Sequence, residues 1–350
     1  MKKIFVSAYL CGNLGDDLFI RTLIQRYPNI QFEAIAEKGY QKSLKSHHNF
    51  KIIQSELSEI SNNYLAVVEI GGALFQQISS KTDIPSYRKF FLKKFPHYFV
   101  VGSNFSEYSS TAYVNNYNYF FKKIDGAVFR DYSSYNLFSH LNNIKYAPDV
   151  VFDYNIKKYN MVSKEKTISI VPIDLNYKKR VNKNIISMYN AEYISKLVNV
   201  IEDFCKKGWK INLISFCDFE GDSKAIDRIV AALSDKSIKN VTIFNDNKID
   251  AKINAIAKSS FLISSRFHSM ILGWKFQIKQ IVIPYSKKTT NVIRDLFPKQ
   301  ETVLLSKLKL INLSASLKQA NTIPLEKLRQ CERKSVNQFH YLDVFLKKYN

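Results

Sequence analysis

Apolar residues along this chain fall into short blocks separated by polar turns. Ile4 to Leu10, Gln31 to Ala36, Lys51 to Gln54, Leu65 to Ile70, Tyr98 to Val101 and Ala127 to Phe129 are runs of strand length, several of them apolar without interruption. Unbroken apolar runs are what parallel strands covered on both faces require. Between the first two, Asp17 to Arg26 places Leu18, Ile20, Leu23 and Ile24 at helical spacing. A second series follows, with strands near Thr167 to Pro172, Lys210 to Ser215, Val241 to Phe244, Phe261 to Ser264 and Gln280 to Pro284. Helices near Ile186 to Lys206, Ser223 to Leu233, Ile249 to Ala257 and Phe267 to Trp274 alternate with them. Thr302 to Leu305 is a short strand-like run, and Pro324 to Lys348 reads as helical. Alternation of this kind predicts an α/β chain with two doubly wound halves. The Lys-rich, poorly periodic stretch from Asp153 to Lys166 is the expected linker, giving domains 1–155 and 156–323 and a C-terminal helix, 324–350.

Only ten glycines occur, yet Gly12, Gly15, Gly71, Gly72 and Gly102 all follow predicted strands. Such positions suit close approach of backbone to a ligand, and they equally suit tight strand-to-helix turns. The densest chemistry lies in Ser264-Ser265-Arg266-Phe267-His268-Ser269, where a buried strand gives way to a helix. There the N–H groups of a new helix, a guanidinium and an imidazole are able to converge on a small anion such as phosphate or carboxylate. The same residues also suit a serine helix cap with Arg266 and His268 in structural hydrogen bonds.

Composition narrows the class. With 46% hydrophobic, 14% aromatic and 23% charged residues over 350 positions, the chain has the balance of a folded protein with large cores. The net charge of +22 favours anionic partners, although Lys, Asn, Ile, Tyr and Phe are abundant together. Cys11, Cys205, Cys217 and Cys331 form no CxxC pair and no zinc-like spacing with the six histidines. Reduced thiols, no metal and a cytoplasmic setting are therefore expected. The N-terminal apolar run is too short for a signal peptide, and no stretch reaches the ~18 apolar residues of a membrane span.

Five pieces then line up in order: Gly12-Asn13-Leu14-Gly15-Asp16; Ile70-Gly71-Gly72-Ala73-Leu74-Phe75; Arg130-Asp131-Tyr132-Ser133; Pro148-Asp149-Val150-Val151-Phe152; and Ser265-Arg266-Phe267-His268-Ser269 with Ile283-Pro284-Tyr285 and Lys287. In this the chain resembles the polysaccharide pyruvyl transferase family over residues 12 to about 297. It departs from the usual pattern at Ala73, where a third small residue, often Gly, is common. It departs again at Gly102-Ser103-Asn104-Phe105-Ser106-Glu107, in place of a Gly-rich stretch ending in Pro.

The resemblance implies two Rossmann-like domains in a GT-B-like arrangement with a cleft between them, and a last helix that crosses back to the first domain. It implies a transferase that moves the pyruvyl group of phosphoenolpyruvate, a substrate rather than a cofactor, onto two sugar hydroxyls of a bacterial surface polysaccharide or a lipid-linked oligosaccharide. Arg266 then suits bidentate contact with phosphate or carboxylate, and His268 suits proton donation near neutrality. Asp16, at the start of the first helix, suits either an N-cap or a carboxylate that orients the acceptor hydroxyl. Arg130 is a second cation at a strand end, with an ion pair to Asp131 as its structural alternative. Lys287 or Lys288 adds a point charge unless it is solvated, and Asp149 reads as a turn residue. Gly12, Asn13, Gly15, Gly71, Gly72, Ser264, Ser265 and Ser269 complete the substrate-binding set. Two other readings use the same features: a GT-B glycosyltransferase with a nucleotide-sugar donor, and a noncatalytic binder of acidic polymer. No nucleic-acid motif is present. Weak, salt-sensitive contact with anionic membrane is expected from the charge.

Overall fold

The structure is a computed structural model; it describes residues 2–36, 47–77, 80–105, 108, 110–159, 164–177 and 183–349. Ser106 and Glu107, and residues 160–163 of the expected linker, lie outside the described residues. Twelve strands among those described form two all-parallel sheets. The first has β1 (Lys3–Ala8), β2 (Gln31–Ile35), β3 (Phe50–Ile53), β4 (Ala66–Ile70), β5 (Tyr98–Ser103), β6 (Gly126–Phe129) and β7 (Ile144–Tyr146), ordered β3-β2-β1-β4-β5-β6-β7. The second has β8 (Glu165–Val171), β9 (Lys210–Ile214), β10 (Val241–Phe244), β11 (Ser259–Ser264) and β12 (Lys279–Val282), ordered β10-β9-β8-β11-β12. In both, strand order reverses beside the first strand. That places the switch point between β1 and β4 in one sheet and between β8 and β11 in the other, where the carboxyl ends of the strands open a crevice for ligands.

The unbroken apolar runs have the expected cause. In β4 and β5 every residue is buried, because odd and even positions pack against different layers. Phe5, Val67, Val100 and Phe129 join Phe91, Phe95, Tyr117, Phe121 and Phe138 in an aromatic-rich core. On the opposite face of the sheet, Phe99 packs against Phe345, 5.2 Å between ring centroids. The second sheet buries Ile168, Ile170, Ile211, Leu213 and Ile263 with Leu197, Ile201 and Phe204 of the helix Asn190–Cys205.

The chain separates into two compact units, Met1–Cys11 with Asp16–Tyr154 and Gln330–Asn350, and Gly12–Gly15 with Asn155–Arg329. Three details differ from the expectations above. The four residues Gly12–Gly15 group with the second unit rather than the first. The C-terminal segment is not one helix but Leu325–Ser335, a 3-10 turn Val336–Phe339, the helix His340–Leu346 and a last turn Lys347–Tyr349. The break falls where Gln338 and Phe339 are both fully buried. Gln338 accepts from Gly102 N–H at 2.9 Å and donates to Ala147 O at 2.7 Å, fastening residues 330–350 to the first sheet. Thr302 makes only a single bridge to Val282, and Leu305–Leu310 is 3-10 rather than strand. The three-residue strand β7 is too short to give a periodic signal.

Candidate functional site

In the second unit, β11 ends at Ser264 beside the switch point, and the helix Phe267–Lys275 starts directly after it. Its N-cap residue is Arg266, whose own side chain does not cap the first turn. The serines serve elsewhere: Ser264 Oγ lies 2.5 Å from Ser269 Oγ, and both hydroxyls reach Arg266 O. Ser265 Oγ lies 2.8 Å from Tyr193 Oη. All three serines are buried and shape the turn, at a helix start where the dipole favours negative charge.

His268 lies in the first turn of that helix and is 8% exposed. Gly15 is packed against it so closely that a Cβ there would lie 1.7 Å from Nδ1. Only a residue without a side chain allows this approach. The loop carrying Gly15 is tied to the second unit in two places. Leu14 N–H donates to Phe216 O at 2.8 Å, and Asn13 bridges Cys217 in antiparallel fashion. Asn13 Oδ1 accepts from Gly15 N–H at 3.1 Å, so Asn13 takes the capping place at the start of the helix Leu14–Arg26. Asp16 is therefore not the N-cap; it is a buried first-turn acid, favourably placed for the helix dipole.

Arg266 is not an open anion grip. Its Nε donates to Asp222 Oδ2 at 2.9 Å, its Nη2 to Asp222 Oδ1 at 2.5 Å, and its Nη1 to Glu220 Oε2 at 2.5 Å. One guanidinium between two carboxylates leaves no positive surplus for a further anion. Burial works against the charged guanidinium, but Asp222 and Glu220 outweigh it and hold its pKa well above the arginine norm. For Asp222, complete burial pushes the carboxyl upward against the opposing pull of Arg266. The short two-point contact favours the ionised pair, and the direction on Arg266 is the one that governs. Neither acid was marked by the sequence reading. The stretch Asp218-Phe219-Glu220-Gly221-Asp222 is acidic enough to notice, but its partner lies 44 residues away.

In the first unit, the strand-end residues form a second buried knot. Arg130 Nη1 meets Asp149 Oδ2 at 2.7 Å and Nη2 meets Asn104 Oδ1 at 2.9 Å. A Cβ on Gly72 would sit 2.5 Å from Nη2. The structural partner of Arg130 is thus Asp149, not Asp131, which instead caps the helix Tyr132–Phe138 by accepting from Ser134 N–H. Asp149 does shape a turn as well, accepting from Val151 N–H at 2.8 Å. Gly71 lies near Asp16, whose Oδ1 would be 3.6 Å from an added Cβ. Gly12 has φ +74°, a left-handed turn. Lys287 is exposed at the start of the helix Lys287–Leu296, and Lys288 Nζ lies 5.7 Å from the centre of the Tyr285 ring.

A surface groove of about 460 Å³, lined by Lys196, Asp203, Lys309 and Asn312 among others, includes none of these residues. Among the described residues no His, Cys, Asp and Glu cluster is arranged to hold a metal ion, and no helix is long and apolar enough to cross a membrane.

Residues 13–287 match the family model described as polysaccharide pyruvyl transferase. No curated protein sequence matches the chain significantly. Among solved structures, UDP-GlcNAc 2-epimerase from Neisseria meningitidis, bound to UDP-GlcNAc, superposes with a TM-score of 0.57 at 12% identity, over 99% of this chain and 100% of that one. Anabaena Alr3699/HepE in complex with UDP and glucose superposes with a TM-score of 0.56 at 10% identity, over 99% and 100%. These likenesses show the GT-B-like fold class of two Rossmann-like domains.

Proposed function

Because this chain belongs to the polysaccharide pyruvyl transferase family, we propose that it transfers the pyruvyl group of phosphoenolpyruvate to two hydroxyls of one sugar, in a surface polysaccharide or its lipid-linked precursor. The observation that carries this reading is His268, in the first turn of the helix Phe267–Lys275, with Gly15 packed against its imidazole.

The chemistry needs one proton delivered to carbon and one anion held in place. His268 donates a proton to the methylene carbon of the enol ester, which becomes the methyl group and leaves an oxocarbenium-like C2. The first sugar hydroxyl attacks C2 and gives up its proton. The C2–O bond to phosphate then breaks, its electron pair leaving with the phosphate. The second hydroxyl closes the ketal and gives up its own proton. One proton enters and two leave, so hydrogen phosphate and a neutral ketal ring bearing the donor carboxylate are the products. The N–H groups at the start of the helix Phe267–Lys275 suit the donor's phosphate or carboxylate, since a helix N-terminus attracts negative charge. Asp16 is assigned to the acceptor hydroxyl. Arg130, neutralised by Asp149, is assigned to shaping the loops at its strand end rather than to holding the donor.

A nucleotide-sugar donor is the competing reading, since the fold relative Alr3699/HepE holds UDP and glucose. Thermal shift with phosphoenolpyruvate and with UDP-sugars separates the two, because a ligand bound only by the folded state raises the melting temperature. Stabilisation by phosphoenolpyruvate and not by UDP-sugars is expected. Stabilisation by a UDP-sugar alone would overturn the proposal.

A further inference from the structure

Asp222 has no exposed surface and lies at the centre of a closed circuit of contacts in the second unit. Its Oδ2 accepts from Phe216 N–H at 3.0 Å and from Cys217 N–H at 2.9 Å, while the same carboxylate holds Arg266. Phe216 O in turn accepts from Leu14 N–H, and Cys217 bridges Asn13. The next residue of that loop, Gly15, rests on the His268 imidazole, and His268 is two residues from Arg266, where the circuit began. A buried carboxylate with this many donors fixes all of them at once, because each is costly to leave unpaired away from water.

We propose that Asp222 is a positioning residue: paired with Arg266, it fixes the Phe216–Cys217 corner, and that corner seats the Gly12–Gly15 loop against His268. The consequence for catalysis rests on the reading of His268 as the acid. Arg266 thereby acts through Asp222 on the loop that shapes the surroundings of His268.

The test uses the full chain and two spectroscopic readouts that need neither donor nor acceptor. Asp222→Asn keeps the shape and retains one oxygen for the two backbone N–H groups, but it turns an amide NH2 toward the guanidinium. In the folded variant the His268 ring signals, assigned by their loss in His268→Gln, are expected to move. The Leu14 amide is expected to exchange with solvent at least about tenfold faster, as its bond to Phe216 loosens. Turnover per folded molecule is expected to fall by about tenfold. If Asp222→Asn does not fold, Arg266→Lys keeps the charge but loses the two-point hold on Asp222. Its Leu14 exchange is expected to rise in the same way, and Leu14 is far enough in sequence that a mere neighbour effect is not involved. Unmoved His268 signals with unchanged Leu14 exchange in folded Asp222→Asn would overturn the inference, as would unchanged Leu14 exchange in folded Arg266→Lys. Absence of any phosphoenolpyruvate-dependent activity in the wild type would instead overturn the proposed function while leaving these readouts decisive for the circuit.

Discussion

Two arginines tie down loops beside the two switch points, and they do so differently. In the first unit Arg88, 1% exposed, is bound by Glu69 of β4 at 2.7 Å and donates to Leu74 O at 2.8 Å, holding the Gly71–Phe75 loop from beneath. Tyr87 and Tyr98 also donate to Glu69, and the guanidinium lies 4.3 Å from the centre of the Phe75 ring. Tyr117 closes the shell by bonding to the same guanidinium. In the second unit Arg266 belongs to the motif itself, beside His268, and its carboxylates come from the 3-10 turn Asp218–Glu220 and the first residue of the helix Asp222–Ala231 rather than from the sheet. The first clamp is sealed by aromatic side chains and serves the fold. The second is linked through backbone groups to the imidazole proposed as the acid, so its failure should be felt in chemistry.

Arg88→Met is the strongest way to break the comparison. It leaves Glu69 buried without its partner, and an uncompensated buried charge costs on the order of 3–5 kcal/mol. Urea unfolding should show that loss, and replacing Glu69 with Gln in the same chain should recover part of it. A loss under about 1 kcal/mol would mean that the clamp is not holding the first unit together.

A matched pair of glycine variants sharpens the contrast. Gly72→Ala drives a Cβ into the Arg130 guanidinium, and such overpacking costs about 1–3 kcal/mol of stability. Gly15→Ala drives one into the His268 ring. Its main effect should appear in turnover per folded molecule, with a smaller change in melting. Equal behaviour of the two variants would dissolve the distinction.

The smallest effect is acid dependence in the first unit. Burial pushes Glu33 upward, but the Tyr64 hydroxyl and Lys3 outweigh it and hold its carboxyl below the usual glutamate range. A depressed folded-state pKa gives stability that is present above the unfolded value, about 4.3, and is lost as pH falls through the folded one. Glu33→Gln should therefore flatten the acid limb of the stability curve, and an unchanged limb would assign the acid loss to other carboxylates.

Much of the fold was legible because unbroken apolar strands and helical spacing are local signals. Ser259–Ser264 and Phe267–Lys275 lie within a few residues of where the pattern puts them. Partner choice was not legible. Arg130 pairs with Asp149 and not its neighbour Asp131, because Asp131 is turned into a helix cap. Glu69 did carry a readable sign, since a charge inside a fully buried strand must have a partner, though nothing local says that the partner is Arg88. Asp222 gave no such sign, because its value lies in backbone groups and an arginine brought to it only by folding. The Gly12–Gly15 loop follows β1 in the chain yet packs with the second unit, a tertiary choice no window of sequence records.

The most direct measurement is phosphate release from phosphoenolpyruvate in the presence of a sugar acceptor, with donor affinity measured in parallel, for wild type and His268→Gln on folded protein only. Glutamine keeps a polar side chain of similar reach but cannot deliver a proton. Turnover should fall by about 10²-fold or more while donor affinity changes little. Near-wild-type turnover in His268→Gln would contradict the account by removing His268 as the acid.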